Sequence, residues 1–195
     1  MEVAIIDYGA GNIKSLQFAL ERLGVTGHLT ADPEQIKNAD KVIFPGQGAA
    51  QSAMVKLKTH GLDAIIPQLK QPVLGICLGM QLLCDYTEEG GVNGLGIIQG
   101  KVLRFSDQVK VPQMGWNTIS ETQTALFQGI KDHEFMYLVH SYFVPLLPET
   151  IAVSTYNQAY SVALQKDNFY GVQFHPEKSS KAGQQLLKNF LNLTK

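Results

Sequence analysis

Short, largely apolar runs separated by helical patterns constrain this chain more than any other feature. Glu2–Asp7, Lys41–Phe44 and Val73–Cys77 read as strands without the polar alternation of a half-solvated sheet. Such strands are buried on both faces, the condition of a parallel sheet covered on either side by crossover helices. The intervening segments supply those helices. Ser15–Leu23 (SLQFALERL) has helical spacing and ends at Gly24, and Ala49–Lys58 and Leu62–Leu69 are helical as well. His28–Thr30 reads as a further short strand, followed by a helix that opens at Pro33-Glu34 with Asp32 as its N-cap. The expected fold is α/β, a mostly parallel central sheet with helices on both faces.

Beyond residue 90 the pattern changes. Gly94–Phe105, Val111–Ser120, Phe135–Val144, Ile151–Tyr156 and Ser161–Phe174 read as strands, several joined directly by turns. Strands without intervening helices predict an antiparallel or mixed extension of the sheet. Gly183–Leu193 closes the chain as an amphipathic helix. No repeat, low-complexity tract or linker interrupts the sequence, so residues 1–195 are expected to form a single domain with one sizeable core.

Charge and cysteine usage exclude several functions. The 16 Lys and Arg against 17 Asp and Glu leave a net charge of -1, which gives no pull toward nucleic acid or an anionic membrane. The opening MEVAIIDYGAGN has no basic n-region, so no signal peptide is expected. No apolar stretch approaches the roughly 20 residues of a membrane-spanning helix. Cys77 and Cys84 cannot build a disulfide framework and lack zinc-ligand spacing, so no metal is implied. The expected compartment is the cytoplasm.

One of those cysteines stands where a strand meets a helix. Gly75-Ile76-Cys77-Leu78-Gly79 sets a nucleophile between glycines, with Val73–Ile76 before it and the helical Leu78–Leu83 after it. In such an elbow the nucleophile takes a strained backbone conformation that the flanking glycines make sterically possible. The turn exposes the sulfur at the carboxyl end of the sheet and aims a helix N-terminus at it, which favours thiolate over thiol. The backbone N–H of Leu78 is then a natural oxyanion donor. The plainer reading is a buried cysteine in a tight turn, as Cys84 is expected to be on the continuing apolar stripe of the helix.

A candidate base lies at another strand end. Tyr170–Phe174 runs into His175-Pro176-Glu177, and residues two apart on an extended chain project to the same side. Pro176 is expected to hold that extension. Glu177 then accepts Nδ1–H of His175 and leaves Nε2 facing a nucleophile. Alone, such a pair is common on solvated surfaces; it gains meaning beside a strand-end cysteine elbow. His28, His60, His133 and His140 have no comparable partner and read as structural. Phe44–Ala49 (FPGQGA) is a glycine-bracketed loop that can present or flip its N–H groups, or be an ordinary connection. Gly9-Ala10-Gly11 lacks the third glycine of a dinucleotide fingerprint, Lys14 standing there, so a nucleotide site is rejected.

Gly75–Gln81 (GICLGMQ) and Gly171–Glu177 (GVQFHPE) together resemble the class I, triad-type glutamine amidotransferases, whose fold is flavodoxin-like. Asp7–Leu16 (DYGAGNIKSL), Pro112–Asn117 (PQMGWN) and Val139–Tyr142 (VHSY) are similar to one branch, the glutaminase subunits of imidazole glycerol phosphate synthases in histidine biosynthesis. The resemblance spans essentially the whole chain. It implies that Cys77 attacks the carboxamide of L-glutamine, that His175 carries the proton and that Glu177 orients the imidazole. A glutamyl thioester forms, ammonia leaves and water releases glutamate, with no cofactor. The N–H groups of Gln47 and Leu78 bind the oxyanion, and Gly48, Gln81, Ser141 and Tyr142 hold the amino-acid end of glutamine. The resemblance also implies a (β/α)8-barrel cyclase partner, docked over the site as a heterodimer, that conducts ammonia to a phosphoribulosyl formimino nucleotide. Asn12, Trp116, Asn117 and Lys178 match positions at that contact. Gln47 and Gln113 stand where this branch usually has a small apolar residue and a histidine. In the family the loop carrying residue 47 is misaligned until the partner binds its ligand.

Three rival readings share parts of these motifs. A glutaminase serving anthranilate, pyridoxal phosphate or guanylate formation is opposed by the Asn12 loop and by Met114–Asn117. A hydrolase of γ-glutamyl bonds or peptides needs an open groove. A non-catalytic binding relative is expected to have lost His175 or Glu177, and both are present.

Overall fold

The computed structural model describes residues 1–9 and 13–194. Strands and helices alternate first: β1 (Val3–Ile6), α1 (Lys14–Glu21), β2 (Gly27–Thr30), α2 (Pro33–Asn38), β3 (Lys41–Phe44), α3 (Ala50–Thr59), α4 (Leu62–Ile65), β4 (Val73–Ile76) and α5 (Leu78–Leu82). Strands then dominate: β5 (Cys84–Thr87), β6 (Val92–Asn93), β7 (Ile98–Arg104), β8 (Gln113–Ile119), β9 (Glu134–His140) and β10 (Tyr142–Phe143). The chain ends with β11 (Thr150–Tyr156), β12 (Gln158–Lys166), β13 (Phe169–Val172) and α6 (Ser180–Asn192).

A seven-stranded sheet runs in the order β11-β12-β13-β4-β3-β1-β2. Neighbours from β13 to β2 are parallel, and β12 and β11 extend the β13 edge antiparallel. Every residue of β1, β3 and β4 is buried, so the apolar runs of the sequence mark a sheet covered on both faces. Alternate side chains divide the core. Val3, Ile5, Ile43 and Leu74 pack toward Leu16, Leu20, Leu187 and Phe190 of α1 and α6. Ala4, Ile6, Val42 and Phe44 pack toward Ile36, Leu57, Leu62 and Ile66 on the opposite face. Burying each such side chain stabilises the fold by about 1.5–3 kcal/mol. At α2 the carboxylate of Asp32 accepts the Glu34 N–H at 2.9 Å, with Pro33 first in the helix, as the sequence implies.

Several elements differ from the sequence reading. α5 stops at Leu82, and Cys84 opens β5 instead of continuing a helical stripe, although it is core as expected. The returning segment ends the helix: Leu95 N–H takes the Leu82 carbonyl, and the N–H groups of Ile97 and Ile98 take that of Leu83. β5 then joins a second sheet ordered β10-β7-β5-β6. Phe135–Val144 divides because β9 pairs with β8 whereas Tyr142-Phe143 pairs with β7. Ser161–Phe174 is two strands, turning at Asp167 with φ +52. Among the described residues no helix is long and apolar enough to cross a membrane.

The parallel register sets the site. Gly75 of β4 lies opposite Gly171 of β13 on one side and Phe44 of β3 on the other. The segments that follow these strands, Cys77, His175 and Gly46–Gly48, therefore emerge together at the carboxyl end of the sheet, the usual ligand end of an α/β fold.

Candidate active site

Cys77 has φ +50 and ψ −108, a strained conformation for an L-residue, between β4 and α5. Its N–H donates to the Val172 carbonyl at 2.7 Å. The β3 loop lies across this elbow. A Cβ on Gly79 would run into the Phe44 carbonyl, and one on Gly46 into the Leu78 N–H. Glycine at these positions lets the two turns approach closely.

The sulfur is 3.7 Å from the Val139 carbonyl, accepts from Gln173 Nε2 at 3.5 Å and hydrogen-bonds with His175. His175 Nδ1 is 2.9 Å from Glu177 Oε1, both side chains only 7% exposed. Burial alone would pull the imidazole pKa down. Hydrogen bonds to Cys77 and Glu177, and attraction to their negative charge, outweigh it and raise the pKa to about 10. At neutral pH the ring is thus an imidazolium between sulfur and carboxylate, and it carries the proton a leaving group needs.

The backbone around His175 is tied to β9. His175 N–H donates to the Tyr137 carbonyl at 2.9 Å, Ser179 Oγ donates to the His175 carbonyl at 2.7 Å, and Tyr137 N–H donates to Ser179 Oγ at 2.9 Å. Pro176 does not prolong the extended chain as the sequence suggested. Pro176–Lys178 is a 3-10 turn, and that turn swings Glu177 back to Nδ1. A φ near −65° suits the first position of a helical turn as well as an extended run.

A cleft of about 380 Å³ opens onto Cys77. Gln47, Gly48, Leu78, Gln81, Ser141, Tyr142, His175 and Lys178 all border it, so the structure brings these sequence candidates together. Two of them are engaged with other groups of the protein. Gln81 Nε2 is turned inward, donating to the Tyr142 carbonyl at 3.0 Å and to Gln173 Oε1 at 2.9 Å. The Gln47 backbone N–H is directed to Tyr8 Oη, which itself donates to the Pro45 carbonyl. Burial raises the Tyr8 pKa well above its ordinary value, so that hydroxyl stays protonated.

The remaining candidates lie elsewhere. Trp116 is 52% exposed on β8, its ring edge-on to Tyr137, with Met114 and Phe135 exposed on the same β8–β9 ribbon. Asn117 is internally satisfied, its Nδ2 donating to the Thr155 carbonyl at 2.9 Å and its Oδ1 accepting from Thr118 N–H. Gln113 is buried and accepts from Tyr160 Oη at 3.1 Å. Asn12 lies outside the described residues.

Sequence reasoning missed three contributors. Glu89 lines the cleft with a carboxylate that accepts the Ala50 N–H at 3.1 Å and whose pKa burial raises. Gln173 touches the sulfur, and Ser179 braces His175. Only the Glu88-Glu89 pair ahead of Gly90-Gly91 offered a local hint. His140, also bordering the cleft, is held by the Tyr142 carbonyl at 2.7 Å from Nδ1. Burial lowers its pKa to about 4, so it is neutral and structural. Among the described residues no cluster of His, Cys, Asp and Glu is placed to hold a metal ion.

Residues 4–193 match the glutamine amidotransferase class-I family, and the chain belongs to that family. The imidazole glycerol phosphate synthase subunit HisH of Bacteroides fragilis (strain YCH46) is 55% identical, over 99% of this chain and 100% of the relative. The protein of the same name from Bacteroides thetaiotaomicron is 54% identical over the same shares. A solved glutamine amidotransferase superposes with a TM-score of 0.76 at 17% identity, covering 98% of this chain and 97% of that one.

Proposed function

We propose that this chain hydrolyses the side-chain amide of L-glutamine and delivers the ammonia to a cyclase subunit that forms imidazole glycerol phosphate in histidine biosynthesis. The reading rests above all on Cys77, His175 and Glu177, joined by hydrogen bonds at the head of a substrate-sized cleft. Full-length similarity to HisH subunits supports the partner and pathway.

The thiolate attacks the carboxamide carbon, and the negative charge moves to its oxygen. Leu78 N–H receives that oxyanion, joined by Gln47 N–H once it turns away from Tyr8. In acyl transfer each such donor is worth about 3 kcal/mol. His175 passes its proton to the nitrogen, which leaves as ammonia, and Cys77 is left as a glutamyl thioester. Water attacks the thioester and gives its proton to His175; the carbon–sulfur bond breaks, glutamate departs and the ion pair is restored. Glu177 keeps Nδ1 protonated throughout. Glu89 offers a carboxylate for the α-ammonium of glutamine, while Gly48, Ser141 and Tyr142 frame the rest of its amino-acid end. Gln81 acts from behind, through the groups it orients. Trp116 on the exposed ribbon and Lys178 at the cleft mouth form the proposed docking face for a (β/α)8-barrel partner.

Glutamate release should be measured for the chain alone, with a cyclase subunit, and with that subunit and its nucleotide ligand. Little release alone and a large rise with both is expected, abolished by Cys77→Ala. A high ligand-independent rate would refute the coupling, and an active Cys77→Ala chain would refute the site.

A further inference from the structure

One buried amide lies against the nucleophile. Gln173, between β13 and His175, is fully buried with Nε2 3.5 Å from Cys77 Sγ. Its orientation follows from its neighbours. The Tyr142 carbonyl can only accept, so Gln81 must turn its NH2 inward, donating there at 3.0 Å and to Gln173 at 2.9 Å. Gln173 must then offer its oxygen to Gln81 and its NH2 to the sulfur. The reversed amide would set the NH2 of Gln173 against the NH2 of Gln81 and leave both without an acceptor there.

We propose that Gln173 is a second stabiliser of the Cys77 thiolate beside His175, and that Gln81 is the positioning residue that keeps its N–H on the sulfur. A thiolate accepts a hydrogen bond far better than a thiol, so a fixed donor biases the proton equilibrium without itself titrating. His175 is not a constant donor, because its proton departs with ammonia and returns only when water attacks the thioester. Gln173 still faces the sulfur when the thioester breaks, and it favours thiolate as the leaving group. The consequence for turnover rests on the glutaminase reading; the effect on the free thiol does not.

The test is the pH dependence of Cys77 alkylation by iodoacetamide in the full-length chain, followed peptide by peptide. Cys84 is fully buried with its pKa pushed up to about 12, so it does not compete. Gln173→Leu should move the Cys77 midpoint upward by about one to two pH units, the size of a hydrogen bond to a charged group. Gln173→Glu keeps the shape and the acceptor for Gln81 but turns an oxygen toward the sulfur, and should move it further. Gln81→Met, with Gln173 intact, should shift it in the same direction by less. Should the leucine variant fail to fold, the near-isosteric Gln173→Glu decides. Folded variants with the parental midpoint would overturn the proposal while leaving glutaminase activity standing. A shifted midpoint in a parent chain without glutaminase activity would instead sink the function and keep this role.

Discussion

The two walls of the cleft are built with different freedom. On the elbow side, Cys77 is fixed from every direction. Its N–H is bonded to Val172, its sulfur meets Gln173 and His175, and Gly79 is pressed against the Phe44 carbonyl. On the facing side, the loop after β3 packs its Gly46 tightly against the Cys77 elbow. Gln47 turns its N–H to Tyr8, and at Gly48, with φ +105, an added Cβ would meet nothing within 4 Å. A rigid nucleophile facing an adjustable oxyanion wall can be switched by moving a loop, with the thiol, imidazole and carboxylate left undisturbed.

The largest effect should come from Glu177→Gln on the rigid side. The variant removes a charge that helps to hold the imidazolium, and partner-activated kcat should fall by about a hundred-fold or more. It also has a pH signature. His175 is raised from 6.5 to about 10 by its partners, so the stability it contributes is fully present below pH 6.5 and fades as pH rises to about 10. Urea unfolding should therefore show the parent's advantage over Glu177→Gln greatest near pH 6 and shrinking toward pH 10. A constant gap would mean that Glu177 contributes packing rather than charge.

Two alanines sharpen the contrast between the walls. Gly79→Ala forces a methyl into the Phe44 carbonyl, and neither backbone can yield without moving the elbow. A loss of about 3 kcal/mol in unfolding free energy is expected, together with activity. Gly48→Ala meets no neighbour and suffers only from its left-handed φ, so its loss should be about 1–2 kcal/mol. The opposite ranking would show that the facing loop is the more constrained wall.

These differences also explain what could be read in advance. The elbow was legible because a strand, a nucleophile between glycines and a helix are local features. The strand-end His-Pro-Glu was legible as a pair, but its turn was not, because proline suits both an extended run and a first helical turn. β5 was hidden because the groups that end α5 come from Leu95–Ile98, beyond the helix. Gln173 was silent because its partners, Cys77 and Gln81, are 96 and 92 residues away, and an amide just past a strand end does not announce what it will touch. Asn117 was legible as part of a motif, but not the bond by which its amide ties β8 to the Thr155 carbonyl, 38 residues away.

The smallest predicted effect tests the adjustable wall most directly. Tyr8 is buried edge-on against Phe44, with ring centroids 5.5 Å apart, so Tyr8→Phe keeps the packing and removes only the hydroxyl. That hydroxyl accepts Gln47 N–H and donates to Pro45, so it holds the loop with the oxyanion donor turned away from the sulfur. Losing these bonds should lower stability by about 1 kcal/mol. The same loss should make the turn toward the oxyanion easier and raise partner-free glutamate release by about five-fold, the kinetic equivalent of about 1 kcal/mol. The ligand-activated rate should hardly change, because the donor has already turned there. A partner-free rate that stays level or falls would mean that Tyr8 supports the loop without restraining it, and that the facing wall is held back by something else.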